Sequence, residues 1–221
     1  MGDTGTPWQL GAVVVLVALV RLAYTFWTDA PLRAGVLEVV DSGLVAFVLV
    51  FVVIRPFVVQ SFFISSDSML PCLRPADRLL VNKFIYRLTA PRRGDIIVFR
   101  APPRAEAAPG EDYVKRVIAL PGEVVEIRGG HGVYVNGRRL AEPYAKITTA
   151  GFGPHRVAPH SVFVLGDNRA ASYDSRAWGD LPRRLVVGKV MVRFWPPRRA
   201  GMLARQEPLL GPREPLAPAG G

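Results

Sequence analysis

The sequence predicts a mainly β fold, an antiparallel β-sheet domain anchored by one or two N-terminal transmembrane helices. Three observations lead there. The N-terminal quarter is dominated by two long apolar runs, and beyond it the chain breaks into short β-branched runs separated by Gly and Pro. In the middle of that second region, Val133-Tyr134-Val135 runs into Asn136-Gly137, a pair that tolerates the positive φ angles of a tight hairpin turn.

Composition narrows the function classes. Of 221 residues, 50% are hydrophobic, yet the net charge is +10. Beside apolar runs, such an excess favours an anionic lipid surface, and no nucleic-acid partner is expected. Arginine supplies nearly all of the charge, since the lysines are Lys83, Lys115, Lys146 and Lys189. Cys72 is the lone cysteine, and His131, His155 and His160 are scattered through Gly/Pro-rich segments. Neither a disulfide nor a clustered metal site has sequence support, and no metal or cofactor is expected.

Taken in order, the first run extends from Trp8 to Trp27 with Arg21 as its one charge. About 20 helical residues, rising about 1.5 Å each, cross a hydrocarbon layer of roughly 30 Å. Trp8, Tyr24 and Trp27 suit the two interfaces, and the Arg21 stem can reach outward. A second, weaker span runs from Val36 to Arg55. Glu38 and Asp41 stand near its start, where the helix dipole favours acids, and Pro56 closes it. The N-terminal tail has no Lys or Arg while the loop between the spans holds Arg33, a contrast that favours that loop inside and both chain ends outside. Residues 1–55 are therefore read as a membrane anchor, 56–195 as a β-rich domain, and 196–221 as a Pro/Gly/Arg-rich tail without a core contribution.

Within the β-rich region, strands are predicted from Arg78 to Asn82, Asp95 to Arg100, Tyr113 to Leu120 and Val124 to Ile127. Three more run from Val133 to Val135, Ser161 to Leu165 and Leu185 to Phe194.

Ser68, in Ile64-Ser65-Ser66-Asp67-Ser68-Met69-Leu70-Pro71, is the candidate nucleophile. No histidine has a nearby acid in a triad-like pattern, which leaves a lysine in an apolar setting as the candidate base, because burial disfavours its charged form. Strand alternation puts Lys115 on one face with Tyr113, Val117 and Ala119, and Arg116 on the other with Val114 and Ile118. Taken singly, each residue has an ordinary reading. Lys115 also suits an edge strand guarded against aggregation, and Ser68 a turn serine bonded to nearby backbone. The polar loop from Gly166 to Gly179 offers Asp174 with Arg176, or Asp167 with Arg169, as rigidifying ion pairs, and Ser172 as an orienting hydroxyl. Spacing alone does not choose among these readings.

Together, four stretches in order resemble the type I signal peptidases, the bacterial leader peptidase family with a Ser/Lys dyad. They are Ser66-Asp67-Ser68-Met69-Leu70-Pro71-Cys72-Leu73, Gly94-Asp95-Ile96-Ile97-Val98-Phe99, the stretch from Tyr113 to Gly122, and the loop from Gly166 to Gly179. The resemblance implies that Ser68 attacks the scissile carbonyl and that neutral Lys115 takes its proton. Ser66 matches the oxyanion-hole hydroxyl, Ser172 the serine that orients the lysine amine, and Asp174 and Arg176 the pair that supports the site. It further implies signal peptides of exported preproteins as substrates, cleaved after small residues, and a phospholipid partner. The implied location is the bacterial plasma membrane, with the catalytic domain on the outer face. Alternatives are a specialised Ser/Lys peptidase maturing one secreted or conjugation substrate, and a catalytically silent membrane-tethered β module. Ser65, Cys72, Ala170 and Ala171 depart from the family pattern, where Pro, Thr and a polar pair are usual.

Overall fold

A computed structural model describes residues 59–105, 111–146, 149–203, 208 and 210–213, with 19, 22, 38, 39, 41–47 and 50 nearer the N-terminus. Of those N-terminal positions, 19, 22, 38, 39 and 41–47 are α-helical. Among the described residues no helix is long and apolar enough to cross a membrane. The predicted span 8–27 lies outside the described residues except for 19 and 22, and half of the predicted span 36–55 lies outside them. The chain divides into two compact units, Met1–Gln60 and Ser61–Gly221.

The described strands are β1 (Val59–Phe63), β2 (Arg78–Asn82), β3 (Ile96–Arg100), β4 (Asp112–Ala119), β5 (Val124–Arg128), β6 (Gly132–Val135), β7 (Arg138–Leu140), β8 (Phe152–Arg156), β9 (Ser161–Leu165), β10 (Leu181–Pro182), β11 (Val186–Trp195), β12 (Gly201–Met202) and β13 (Leu210–Arg213). They form an 8-stranded sheet in the order β1-β2-β11-β3-β4-β9-β10, with β12 on β11, and a 5-stranded sheet in the order β13-β7-β6-β5-β8. The registered strand pairs are antiparallel, as the mainly β reading requires.

The larger sheet is built outward from β4. Lys115 pairs with Ile97 of β3 on one side, and Val117 pairs with Val164 of β9 on the other. Every residue of β9, and all but the last of β3, is buried, so both strands read as continuous apolar runs. Burial of Met69, Leu73, Leu79, Val81, Val98 and Val190 in one cluster fixes the segment around Ser68 to this sheet. In the smaller sheet, the turn between β6 and β7 has Asn136 at φ 52° and Gly137 at φ 75°, the left-handed pair that the hairpin signal demands.

All seven predicted strands appear, each within a residue of its expected ends. The sequence reading missed β1, which continues an apolar run assigned to the anchor side, and β8, which contains Gly153 and Pro154. It also missed the short, polar or glycine-containing β7, β10, β12 and β13. The expectation that residues past Pro196 add nothing to the core is corrected. Strands β12 and β13 extend the two sheets, and Leu203 packs against the cluster that holds Met69 and Leu73.

Candidate active site

The segment after β1 folds back on itself. Ile64 donates its N–H to the Asp77 carbonyl at 3.0 Å and accepts from Ala76 N–H at 2.9 Å, closing residues 64–77 into a loop. Inside it, Asp67–Met69 forms a short 3-10 turn. Met69 and Leu73 enter the core, while Ser68 lies at the core edge, 6% exposed. Ser66 Oγ is 3.1 Å from Ser68 Oγ, within hydrogen-bond reach.

β4 delivers Lys115 to the same point. Its Nζ lies 2.6 Å from Ser68 Oγ, although 47 residues separate the two in sequence. Lys115 is only 5% exposed. Burial pulls its pKa down from 10.5 to about 8; the carboxylates of Asp174 and Asp167 act against the shift, and the Arg176 charge adds to it. An amine so placed is neutral in roughly a tenth of molecules near pH 7. It can then accept the Ser68 hydroxyl proton across the existing contact.

The stretch from Gly166 to Gly179 closes over this pair. Asn168 donates its backbone N–H to the Ser68 carbonyl at 3.0 Å and its side-chain amide to the Asp67 carbonyl at 3.2 Å. A Cβ at Gly166 would stand 2.3 Å from Ser172 Oγ and 2.4 Å from the Ser68 carbonyl oxygen, so only glycine permits this approach. Asp174 binds both ends of the loop. Its Oδ2 accepts Gly166 N–H at 3.1 Å, and its Oδ1 accepts Arg176 Nε at 2.8 Å. Arg176 Nη2 then donates to the carbonyls of Arg169 at 2.6 Å and Ser172 at 3.1 Å. The expected Asp174–Arg176 ion pair is therefore present.

Two expectations differ from the structure. Asp167 and Arg169 do not pair with each other: Asp167 takes the Arg116 guanidinium, and Arg169 forks onto Glu142 at 3.0 and 2.6 Å. Partners distant in sequence outcompete the local one because each offers a fork-to-carboxylate fit. Ser172 Oγ is buried but makes no hydrogen bond, so the expected bond to the Lys115 amine is absent; the hydroxyl lies instead against Gly166. The sequence reading also missed Asn168, Glu142 and Tyr144. Tyr144 lies with its ring centroid 3.8 Å from the Arg116 guanidinium, and nothing in local spacing points to that contact. Among the described residues, no group of His, Cys, Asp or Glu is arranged to hold a metal ion.

Residues 36–195 match the family model described as signal peptidase, peptidase S26. The chain belongs to the S26 peptidase family. It is 44% identical to the signal peptidase I of Leptolyngbya laminosa over 79% of this chain and 85% of that protein. The signal peptidase I of Bacillus caldolyticus is 41% identical over 68% of this chain and 88% of its own. A solved signal peptidase I from Enterococcus faecalis, 35% identical, covers 46% of this chain and 97% of its own with a TM-score of 0.39. Ser66, Ser68, Lys115, Ser172, Asp174 and Arg176 all fall inside the S26 match, whereas Arg199, β12 and β13 lie beyond it.

Proposed function

We propose that this S26 peptidase is a membrane-bound serine endopeptidase that removes N-terminal signal peptides from exported preproteins, with Ser68 as nucleophile and Lys115 as general base. The observation that carries the reading is the buried 2.6 Å contact between Lys115 Nζ and Ser68 Oγ, in a chain whose relatives are named signal peptidase I.

Neutral Lys115 takes the hydroxyl proton as Ser68 Oγ attacks the scissile carbonyl. The oxyanion that forms is held by the Ser68 backbone N–H and the Ser66 hydroxyl, donors aimed at charge that develops only in the transition state. Collapse expels the new N-terminal amine of the mature protein, which receives the proton from Lys115. Water then attacks the acyl-Ser68 ester, giving a proton to Lys115; collapse expels the Ser68 oxygen, which takes that proton back from Lys115, and the signal peptide leaves with a new carboxylate. The family resemblance gives Ser172 the role of orienting the amine; its buried hydroxyl makes no hydrogen bond to Lys115 in this arrangement and has to turn toward the amine to play that part. Asp174 and Arg176 hold the loop that carries it.

Residues 1–55 serve as the anchor and 56–195 as the catalytic domain. The enzyme works at the outer face of a bacterial plasma membrane. Phe63, 62% exposed on β1, and Trp195, 50% exposed at the end of β11, suit a lipid interface near the nucleophile loop. The test is cleavage of a preprotein by the detergent-solubilised full chain beside Ser68→Ala. Loss of cleavage in the variant supports the reading; equal cleavage by both removes Ser68 and the mechanism.

A further inference from the structure

The nucleophile loop is held from two sides, and the Gly166 loop is only one of them. On the other, the Cys72 carbonyl accepts Arg193 Nη1 at 2.9 Å. Cys72 follows Leu70-Pro71, so this bond fixes the limb of the loop that leaves Ser68. Asp77, at the neck of the loop, is 1% exposed. Its Oδ2 accepts Arg74 N–H at 2.9 Å, and its Oδ1 accepts Arg199 Nη1 at 3.0 Å. Arg193 Nη1 stands 3.7 Å from the same carboxylate. Arg193 Nε also donates to the Arg199 carbonyl, which holds the turn Pro197–Arg199 against β11. Arg199 lies outside the S26 match, which ends at residue 195.

We propose that Arg193 and Arg199 are positioning residues for the nucleophile. Through the Asp77 carboxylate and the Cys72 carbonyl they lock the loop that presents Ser68, and so keep Ser68 Oγ within reach of Lys115. The inference rests on the assignment of Ser68 and Lys115 made above. Neither arginine touches either residue of the pair, and they act through the loop alone. A carboxylate as buried as Asp77 is costly unless paired. Without Arg199 the neck shifts to let water reach it, and the loop pivots about the Ile64 to Asp77 closure. Displacing a reacting atom by about 1 Å costs on the order of a hundredfold in rate.

The two arginines differ in a way that can be tested. Arg199 reaches Asp77 through one nitrogen, a contact that a lysine ammonium can supply. Arg193 binds two carbonyls through separate nitrogens while facing Asp77, a fork that lysine lacks.

The experiment uses the full-length enzyme in detergent with a preprotein substrate. It compares wild type, Arg199→Met, Arg199→Lys and Arg193→Lys, measuring kcat, KM and thermal midpoint across about pH 6 to 10. Single-turnover rates with enzyme in excess report the folded molecules. Arg199→Met is expected to lower kcat about tenfold to a hundredfold with KM unchanged. Its acid limb should move to higher pH, because a displaced loop admits water to Lys115. Arg199→Lys should restore most of kcat, and Arg193→Lys should not. A merely structural role would lose activity only in proportion to unfolded protein and leave the acid limb in place. That result overturns the proposal, as does Arg199→Met with wild-type kcat, or Arg199→Lys no better than Arg199→Met. A wild type that cannot cleave overturns the signal-peptide reading and this inference with it, whereas an active wild type beside an indifferent Arg199→Met overturns this inference alone.

Discussion

Arg116 is fully buried with its guanidinium forked onto both carboxylate oxygens of Asp167, Nε to Oδ1 at 2.8 Å and Nη2 to Oδ2 at 2.7 Å. Its chain neighbour Lys115 is also buried, and the two cations meet burial in opposite ways. Burial alone would lower the Arg116 pKa, but the Asp167 hydrogen bonds and charge outweigh it and keep the guanidinium ionised. Lys115 has no such fork, and burial lowers its pKa. Strand alternation separates them, one facing Ser68 and the other facing Asp167 and Tyr144.

Removing one partner of that fork leaves the other charge buried and unpaired. Arg116→Met or Asp167→Asn should therefore cost about 3 to 5 kcal/mol of unfolding free energy. Arg116→Lys should recover only part of it, since an ammonium cannot fork. Urea melts of the three variants check this, and a midpoint near wild type for Arg116→Met would show that the pair contributes little.

Ser68→Ala should abolish preprotein cleavage while leaving the fold intact, because it removes a hydroxyl and no core volume. Ser66→Ala should retain a slow enzyme, down on the order of a hundredfold or more, as for loss of one oxyanion donor. Circular dichroism of both variants beside the cleavage assay separates chemistry from folding. A Ser66→Ala rate equal to wild type places that hydroxyl outside the oxyanion hole.

Gly166→Ala tests the closeness of the two loops. The new methyl meets Ser172 Oγ at 2.3 Å and the Ser68 carbonyl at 2.4 Å, and the second of these is backbone that cannot swing aside. Overpacking of this kind costs about 1 to 3 kcal/mol. Because the atom pushed belongs to Ser68, kcat should fall further than the stability loss predicts. A variant with reduced thermal midpoint but wild-type kcat would separate the Gly166 contact from catalysis.

These effects show what the chain discloses before it folds. The seven strands were legible because each is a compact apolar run with turn residues at its ends, and Asn136-Gly137 specified its own turn. Ser68 and Lys115 were legible only through the ordered family resemblance, since either residue alone has an ordinary reading. The pairs Arg116 with Asp167, Arg169 with Glu142 and Arg199 with Asp77 were not legible. Each joins residues 27 or more positions apart, and a chain this rich in arginine gives each acid many possible partners until the sheets bring them together. Strand β8 stayed hidden because Gly153 and Pro154 read as turn residues, although its backbone pairs with β5.

The last prediction concerns the proton. A lysine at its ordinary pKa of about 10.4 is neutral near pH 7 only at about the 10⁻³ to 10⁻⁴ level. With the Lys115 pKa at about 8, roughly a tenth is neutral there. The rate should climb with pH along an acid limb centred near 8 and level off above it. Stability carries the same signature. Between the folded value of about 8 and the unfolded value of 10.5, the unfolded chain binds more protons, so stability rises with pH through that window. Lys115→Met should remove that rise, because it has no amine to titrate. Lys115→Arg keeps a charge and a similar length but cannot lose its proton, so it should be inactive across the whole range. Single-turnover cleavage from about pH 6 to 10 by wild type and Lys115→Arg decides the matter. An acid limb near the ordinary lysine value would place the titrating amine in water. Near-wild-type turnover by the arginine variant would take Lys115 out of the mechanism, because a guanidinium cannot accept the proton.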